Sequence, residues 1–274
     1  MVMLHGCRQD AESFAKGTGM NRIAEREGFA VLYPEQAPRA NALRCWNWFA
    51  QDVLRGEGEA RALVKLIRRV RVHYGIDPER VYVAGMSAGA AMAQVLIVRH
   101  PELFAAAGLH SGLMYRAVAT PWQAMGTMRR GSGQSPGEAV RAVRDESAAS
   151  MRVPTLLIHG ADDDAVAPRN AEQLAEQICA LAGVSPGTED GGAVLKESSI
   201  IAGGRRCQVR EWSHHGDLLV RLYLVEQLGH AWSGGHAKLP FNDPAGPDAS
   251  RLIWEFVARF RRSRAPSART QGMG

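Results

Sequence analysis

The 274-residue sequence has no run of 18 or more apolar residues, so no membrane-spanning helix is expected. Its four cysteines, Cys7, Cys45, Cys179 and Cys207, form no C-x-x-C pair. Zinc binding and dithiol redox chemistry are therefore not expected, and no metal site is assigned. No secretory leader is visible at the start. Nor is there a basic stripe with interleaved aromatics on a recognisable module, so nucleic acid is not an expected partner. The net charge of +5 comes from 33 basic and 28 acidic residues. The excess gathers near the end, at Arg259, Arg261, Arg262, Arg264 and Arg269. It reads as a solvated basic tail, with residues 263–274 expected to be disordered. The opening lacks something too. Met-Val-Met-Leu-His-Gly-Cys reads as the end of a strand running straight into a functional loop, and the strands expected before it are missing.

What is present suffices for one large core, since 46% of the residues are hydrophobic. Residues 2–4 form a strand stub. Short continuous apolar runs at 29–33, 80–84, 103–109 and 153–158 predict buried strands. Helical spacing predicts helices over 18–28, 57–74, 88–100, 170–181 and 247–262. Residues 206–212 and 218–227 read as strands around a Ser-His-His-Gly-Asp turn. Residues 183–204 read as a polar, glycine-rich loop, and 115–146, without clear periodicity, as an inserted cap. Strands alternating with helices argue for an α/β fold: a mostly parallel sheet with helices on both faces, in one domain over residues 1–262. Ligands bind such sheets at the carboxyl ends of the strands.

The chemistry-bearing residues fall at those ends. Gly85-Met-Ser87-Ala-Gly89 joins an apolar run to a helical one, the strand–turn–helix setting in which a serine becomes an exposed nucleophile. The two glycines are needed because side chains there would clash in so sharp a turn. The alternative is a structural turn with an idle serine. A serine hydroxyl needs a base, and the base an orienting acid, placed in the order Ser, acid, His. Three aspartates, Asp162, Asp163 and Asp164, follow the 153–158 run. Asp163 is preferred, with either neighbour as the alternative. Among the histidines after the acid, His230 follows the last strand and is the expected base; His214 and His215 sit in the turn, and His236 lies beyond two glycines. The backbone N–H groups of Cys7 and Ala88 are the candidate oxyanion donors. Trp46, Trp48 and Trp232 are candidate walls of a substrate pocket; packing against the core is the competing reading.

Together these segments resemble the poly(3-hydroxybutyrate) depolymerase family of esterases, related to feruloyl and acetylxylan esterases. The matching pieces are L-H-G-C-R-Q-D at 4–10, Y-P-E-Q at 33–36 and R-C-W-N-W-F at 44–49. Further on come G-I-D-P-x-R-V-Y-V-A-G-M-S-A-G at 75–89, H-S-G at 110–112 and G-H-A-W-S-G-G at 229–235. The acid loop H-G-x-x-D-x-x-V-x-P resembles that of many α/β-hydrolases. The resemblance implies an α/β-hydrolase lacking its first strands, with Ser87, Asp163 and His230 as triad, no cofactor, and a small ester or polyester as substrate. A serine peptidase of the same fold and a catalytically idle binding protein are the rival readings. Family members are commonly exported, which implies an extracellular or periplasmic location; without a visible leader, a cytoplasmic one stays open. A Cys7–Cys45 disulfide is expected, with both cysteines standing over the site. By the same resemblance, residues 2–4 should lie between the 29–33 and 80–84 strands. The 29–33 strand would then be an open edge, and the chain from Met1 is expected to express poorly or show low activity.

Overall fold

The computed structural model describes residues 1–118, 123–144, 152–185 and 192–262. In chain order, β1 (Val2–Leu4) leads into α1 (Ala11–Thr18), α2 (Met20–Glu27), α3 (Gln51–Leu54) and α4 (Gly58–His73). Then come β2 (Tyr82–Met86), α5 (Ala88–Arg99), a 3₁₀ turn at Pro101–Leu103, β3 (Ala106–His110), α6 (Ala124–Arg130) and α7 (Pro136–Arg144). The chain goes on through β4 (Thr155–Gly160), α8 (Arg169–Leu181), β5 (Val194–Ala202), β6 (Arg205–His214) and β7 (Asp217–Val225). It closes with β8 (Trp232–Ser233), β9 (Asn242–Asp243) and α9 (Ala249–Val257).

Among the described residues seven strands form one sheet in the order β1-β2-β3-β4-β7-β6-β5. The run from β1 to β4 and on to β7 is parallel, while β6 pairs antiparallel with β7 and β5 antiparallel with β6. Side chains of a strand alternate between faces. Tyr82, Ala84 and Met86 accordingly join a core built with α1, α2 and α9, while Val83 joins the core of α4, α5 and α8. In α5 every residue from Ala88 to Val98 is buried, so this helix is apolar on nearly every side, with Gln94 its one polar residue in that span.

Several sequence expectations shift. The 18–28 helix forms as α2, ending at Gly28; α1 precedes it as an addition that the periodicity does not reveal, with Gly19 at φ 64° between the two. Residues 29–33 do not form a strand. A single bridge, Val2 to Leu32, ties the segment to β1, with Met3 N–H to Leu32 O at 2.9 Å. The expected neighbourhood of β1 holds, because β2 lies on its other side. Of the expected 183–204 loop, residues 186–191 lie outside the described residues, and Val194–Ala202 form β5, which shows no alternation because both faces of this edge strand are exposed. The 115–146 segment contains α6 and α7, which pack along α8; its residues 119–122, 145 and 146 lie outside the described residues. Residues 263–274 also lie outside them. Among the described residues no helix is long and apolar enough to cross a membrane.

Candidate active site

Ser87 sits between β2 and α5 at φ 54°, ψ −120°, a conformation that non-glycine residues rarely adopt. The turn is possible because its two glycines have no side chains. A Cβ on Gly85 would lie 2.5 Å from the backbone of Gly89, and one on Gly89 would lie 2.1 Å from Leu4 O. Serine at a helix N-cap ordinarily spends its hydroxyl on capping. Here it makes no capping bond. The backbone is fixed instead, with Ser87 N–H donating to His110 O at 2.9 Å and Ala91 N–H to Ser87 O at 2.9 Å.

The three aspartates separate cleanly. Asp163 is buried, while Asp162 and Asp164 are exposed. One Asp163 oxygen, Oδ1, accepts from Ala165 N–H at 3.1 Å and Val166 N–H at 2.8 Å. The other, Oδ2, lies 2.8 Å from His230 Nδ1. Burial alone would raise the Asp163 pKa. The hydrogen bond and charge of His230, with His159 and the Val166 N–H, outweigh burial and hold it below the usual carboxylate range. His230 keeps 16% of its side chain exposed, so its ring is held by the acid on one side and open on the other. The acid and histidine loops touch directly: Asp162 N–H donates to Leu228 O at 3.1 Å, and a Cβ on Gly160 would lie 2.1 Å from the same oxygen.

Cys7 and Cys45 are joined, with Cα atoms 4.2 Å apart across a sequence separation of 38. In the chain-entropy model such a closure stabilises by about 3–4 kcal/mol. It binds the loop after β1 to the tryptophan loop, and Trp46 Nε1 donates to His5 O at 3.1 Å across the same junction. Ala88 opens α5, where an N–H has no intrahelical acceptor. No acceptor for the N–H of Cys7 is found among the described residues. Cys179 and Cys207 are unpaired and buried, and burial raises both thiols, that of Cys179 to about 12. Neither has the exposure or acidity of a reactive cysteine.

The indoles do not form open walls. Trp46, Trp48 and Trp232 are 3%, 5% and 1% exposed. Trp232 packs edge-on to Phe14 and stacks on His110, and Trp48 packs edge-on to Phe49. Their places in the core explain the conflict with the pocket expectation: each loop closes over its own large side chain.

Five histidines precede the acid in chain order, and three of them line the site. His5, His110 and His159 are all fully buried around the site. His5 Nε2 accepts from Gln36 N–H at 3.0 Å, and His159 Nε2 lies 2.7 Å from Val166 O and 3.6 Å from Asp163 Oδ2. Desolvation lowers the pKa of each. The available signal was a repeated one: Leu4-His-Gly, Leu109-His-Ser-Gly and Ile158-His-Gly each put a histidine at or within one residue of the end of a parallel strand.

The family model of the PHB depolymerase esterases matches residues 1–197. The chain belongs to this family. It is 32% identical over 235 residues to poly(3-hydroxyalkanoate) depolymerase C of Paucimonas lemoignei, covering 84% of this chain and 54% of that protein. It is also 32% identical over 193 residues to feruloyl esterase B of Neurospora crassa, covering 67% and 65%. The chain thus spans between half and two thirds of the length of these relatives. Among solved structures, an acetyl xylan esterase from Aspergillus awamori superposes with a TM-score of 0.69 at 22% identity, over 84% of this chain and 82% of that one. That likeness shows a shared α/β-hydrolase fold.

Proposed function

We propose that the chain is a serine esterase that hydrolyses carboxylic esters through an acyl-enzyme. The observation that carries this reading is the 2.8 Å contact of His230 Nδ1 with a buried carboxylate whose other oxygen is already held by two N–H groups. A carboxylate at that distance favours the proton on Nδ1, which leaves Nε2 bare to act as base. In the proposed reaction His230 takes the Ser87 proton and Ser87 attacks the ester carbonyl. The N–H groups of Cys7 and Ala88 receive the oxyanion, and His230 then returns the proton to the leaving alcohol. Water activated by the same histidine releases the acid. Asp163 holds the tautomer and stabilises the imidazolium. Membership of the family supports an ester over an amide substrate, and relatives of the chain are named for polyester, feruloyl and acetylxylan esters. The Cys7–Cys45 bond supports an oxidising compartment.

Purified protein should hydrolyse p-nitrophenyl butyrate in preference to dipeptide amides. It should also be labelled by a fluorophosphonate. Ser87→Ala should lower ester turnover by about 10³-fold or more with the fold retained by circular dichroism. Activity surviving in the purified variant would refute the assignment of Ser87.

A further inference from the structure

We propose that His110 is a positioning residue that clamps the loop carrying His230 onto the backbone that carries Ser87; the inference rests on the esterase reading above. His110 ends β3, and it and its neighbour Ser111 reach all three site-bearing segments. Its carbonyl accepts the Ser87 N–H at 2.9 Å. Its ring Nε2 accepts the Ser233 N–H at 3.2 Å, three residues beyond His230. Ser111 N–H donates to Ile158 O at 2.9 Å, on the strand that leads to Asp163. The ring also stacks on Trp232, with centroids 5.1 Å apart and planes 23° from parallel.

The donor at Ser233 settles the tautomer. An N–H can donate only to a bare ring nitrogen, so Nε2 carries no proton. Nδ1 then carries it and donates to Ser111 Oγ at 3.1 Å. Both ring nitrogens are spent, as a fully buried imidazole requires. Burial, helped by the charges of His159 and His230 and opposed by Asp163, holds the pKa near 3, so Nε2 stays an acceptor at neutral pH. The far side of the same segment is pinned as well. Trp232 Nε1 donates to Ser250 Oγ at 3.2 Å, and Ser233 Oγ donates to Pro247 O at 2.7 Å. His230 is partly exposed, with Asp163 as its side-chain partner, so its position depends also on the segment that follows it.

Misplacing a catalytic group by about 1 Å costs about 10²-fold in rate. A residue that only filled space would not distinguish two polar replacements of similar size; a clamp would. Glutamine places an oxygen near the ε position and can still accept from Ser233 N–H. Asparagine reaches only the δ position and leaves that N–H unpaired. His110→Asn should therefore lower kcat for p-nitrophenyl butyrate by about 10- to 100-fold, with KM changed less than about threefold. His110→Gln should stay within about fivefold of the native enzyme. Equal losses in the two variants, or a native-like kcat in His110→Asn, would overturn the proposal. A second measurement needs no variant. Nitrogen NMR of the native protein labelled at histidine should show a His110 ring with bare Nε2 and protonated Nδ1; a proton on Nε2 would overturn the clamp. If Ser87→Ala leaves ester turnover unchanged, the esterase reading fails, while the NMR result still decides the clamp.

Discussion

The two halves of the sheet do different jobs. From β1 to β4 every strand residue is buried, and neighbouring strands run the same way. Their carboxyl ends therefore open at one rim, and the loops with Cys7, Ser87 and Asp163 meet there. In the other half, β5 and β6 run antiparallel, and from Val194 to Ile201 every residue of β5 is exposed. Strand β7 belongs to both halves. It is parallel to β4, so His230 beyond its end reaches the rim, yet it is antiparallel to β6. Convergence of loops follows from parallel pairing, and the antiparallel extension contributes His230 only through the strand it shares.

The sharpest way to break this comparison is at the acid loop, where exposure changes from residue to residue. Asp163→Asn should lower ester turnover by about 10⁴-fold. The new carbonyl oxygen could still take the Ala165 and Val166 N–H groups. The amide NH₂ would then face His230 Nδ1 and force the proton onto Nε2, the nitrogen needed as base. Asp162→Asn and Asp164→Asn should leave turnover within about twofold, because both side chains are solvated. Steady-state rates of the three variants decide it, and a crippled Asp162 or Asp164 variant would move the acid.

Legibility followed the same division. The elbow was readable because two glycines around one serine have a steric cause, and the 2.1 Å approach to Leu4 O is that cause. The cysteine pair was readable from family resemblance, and the approach of His230 to an aspartate from its loop position. The aspartate was narrowed but not settled, since three identical neighbours differ only in which one the turn buries. Strand β5 was hidden because Lys-Glu-Ser-Ser in its middle resembles a loop, and an edge exposed on both faces carries no alternation. The role of His5, His110 and His159 was missed for another reason. Chain order tests a histidine only as a base, and these three act as neutral hydrogen-bonding partners.

Buried neutral histidines give the braced half a pH dependence in the acid range. Unfolded, His110 would titrate near 6.5; folded, burial holds it near 3. Below about pH 6.5 the unfolded chain thus binds a proton that the native state refuses, and stability falls as pH falls through this window. His159 and His5, also lowered by burial, act with the same sign. Asp163, lowered overall, adds to the loss only at more acid pH, as its carboxylate is protonated. From pH 7 to pH 5 the His110 contribution alone is about 2 kcal/mol. Urea unfolding at the two pH values should show that loss, and His110→Gln should remove about that much of the slope. A slope unchanged by the substitution would mean that the ring is charged or solvated in the native state.

The smallest effect is expected at the opposite end of the sheet. Val194 and Ile201 are 66% and 67% exposed at the two ends of β5, and Leu195 and Ile200 lie exposed between them. An apolar edge strand is a template for pairing with another chain. Glutamate is the informative replacement at 201, because Arg206 is its cross-strand partner and a lysine there would set like charges opposite each other. Ile201→Glu should change folding stability by no more than about 0.5 kcal/mol. It should leave kcat/KM within about twofold and reduce concentration-dependent light scattering. Among the described residues none of β5 bonds to Ser87, Asp163 or His230, so the change touches the rim only through intervening elements. A tenfold fall in kcat/KM with the fold intact would show that the antiparallel extension takes part in substrate binding, and the division of labour between the two halves would have to be given up.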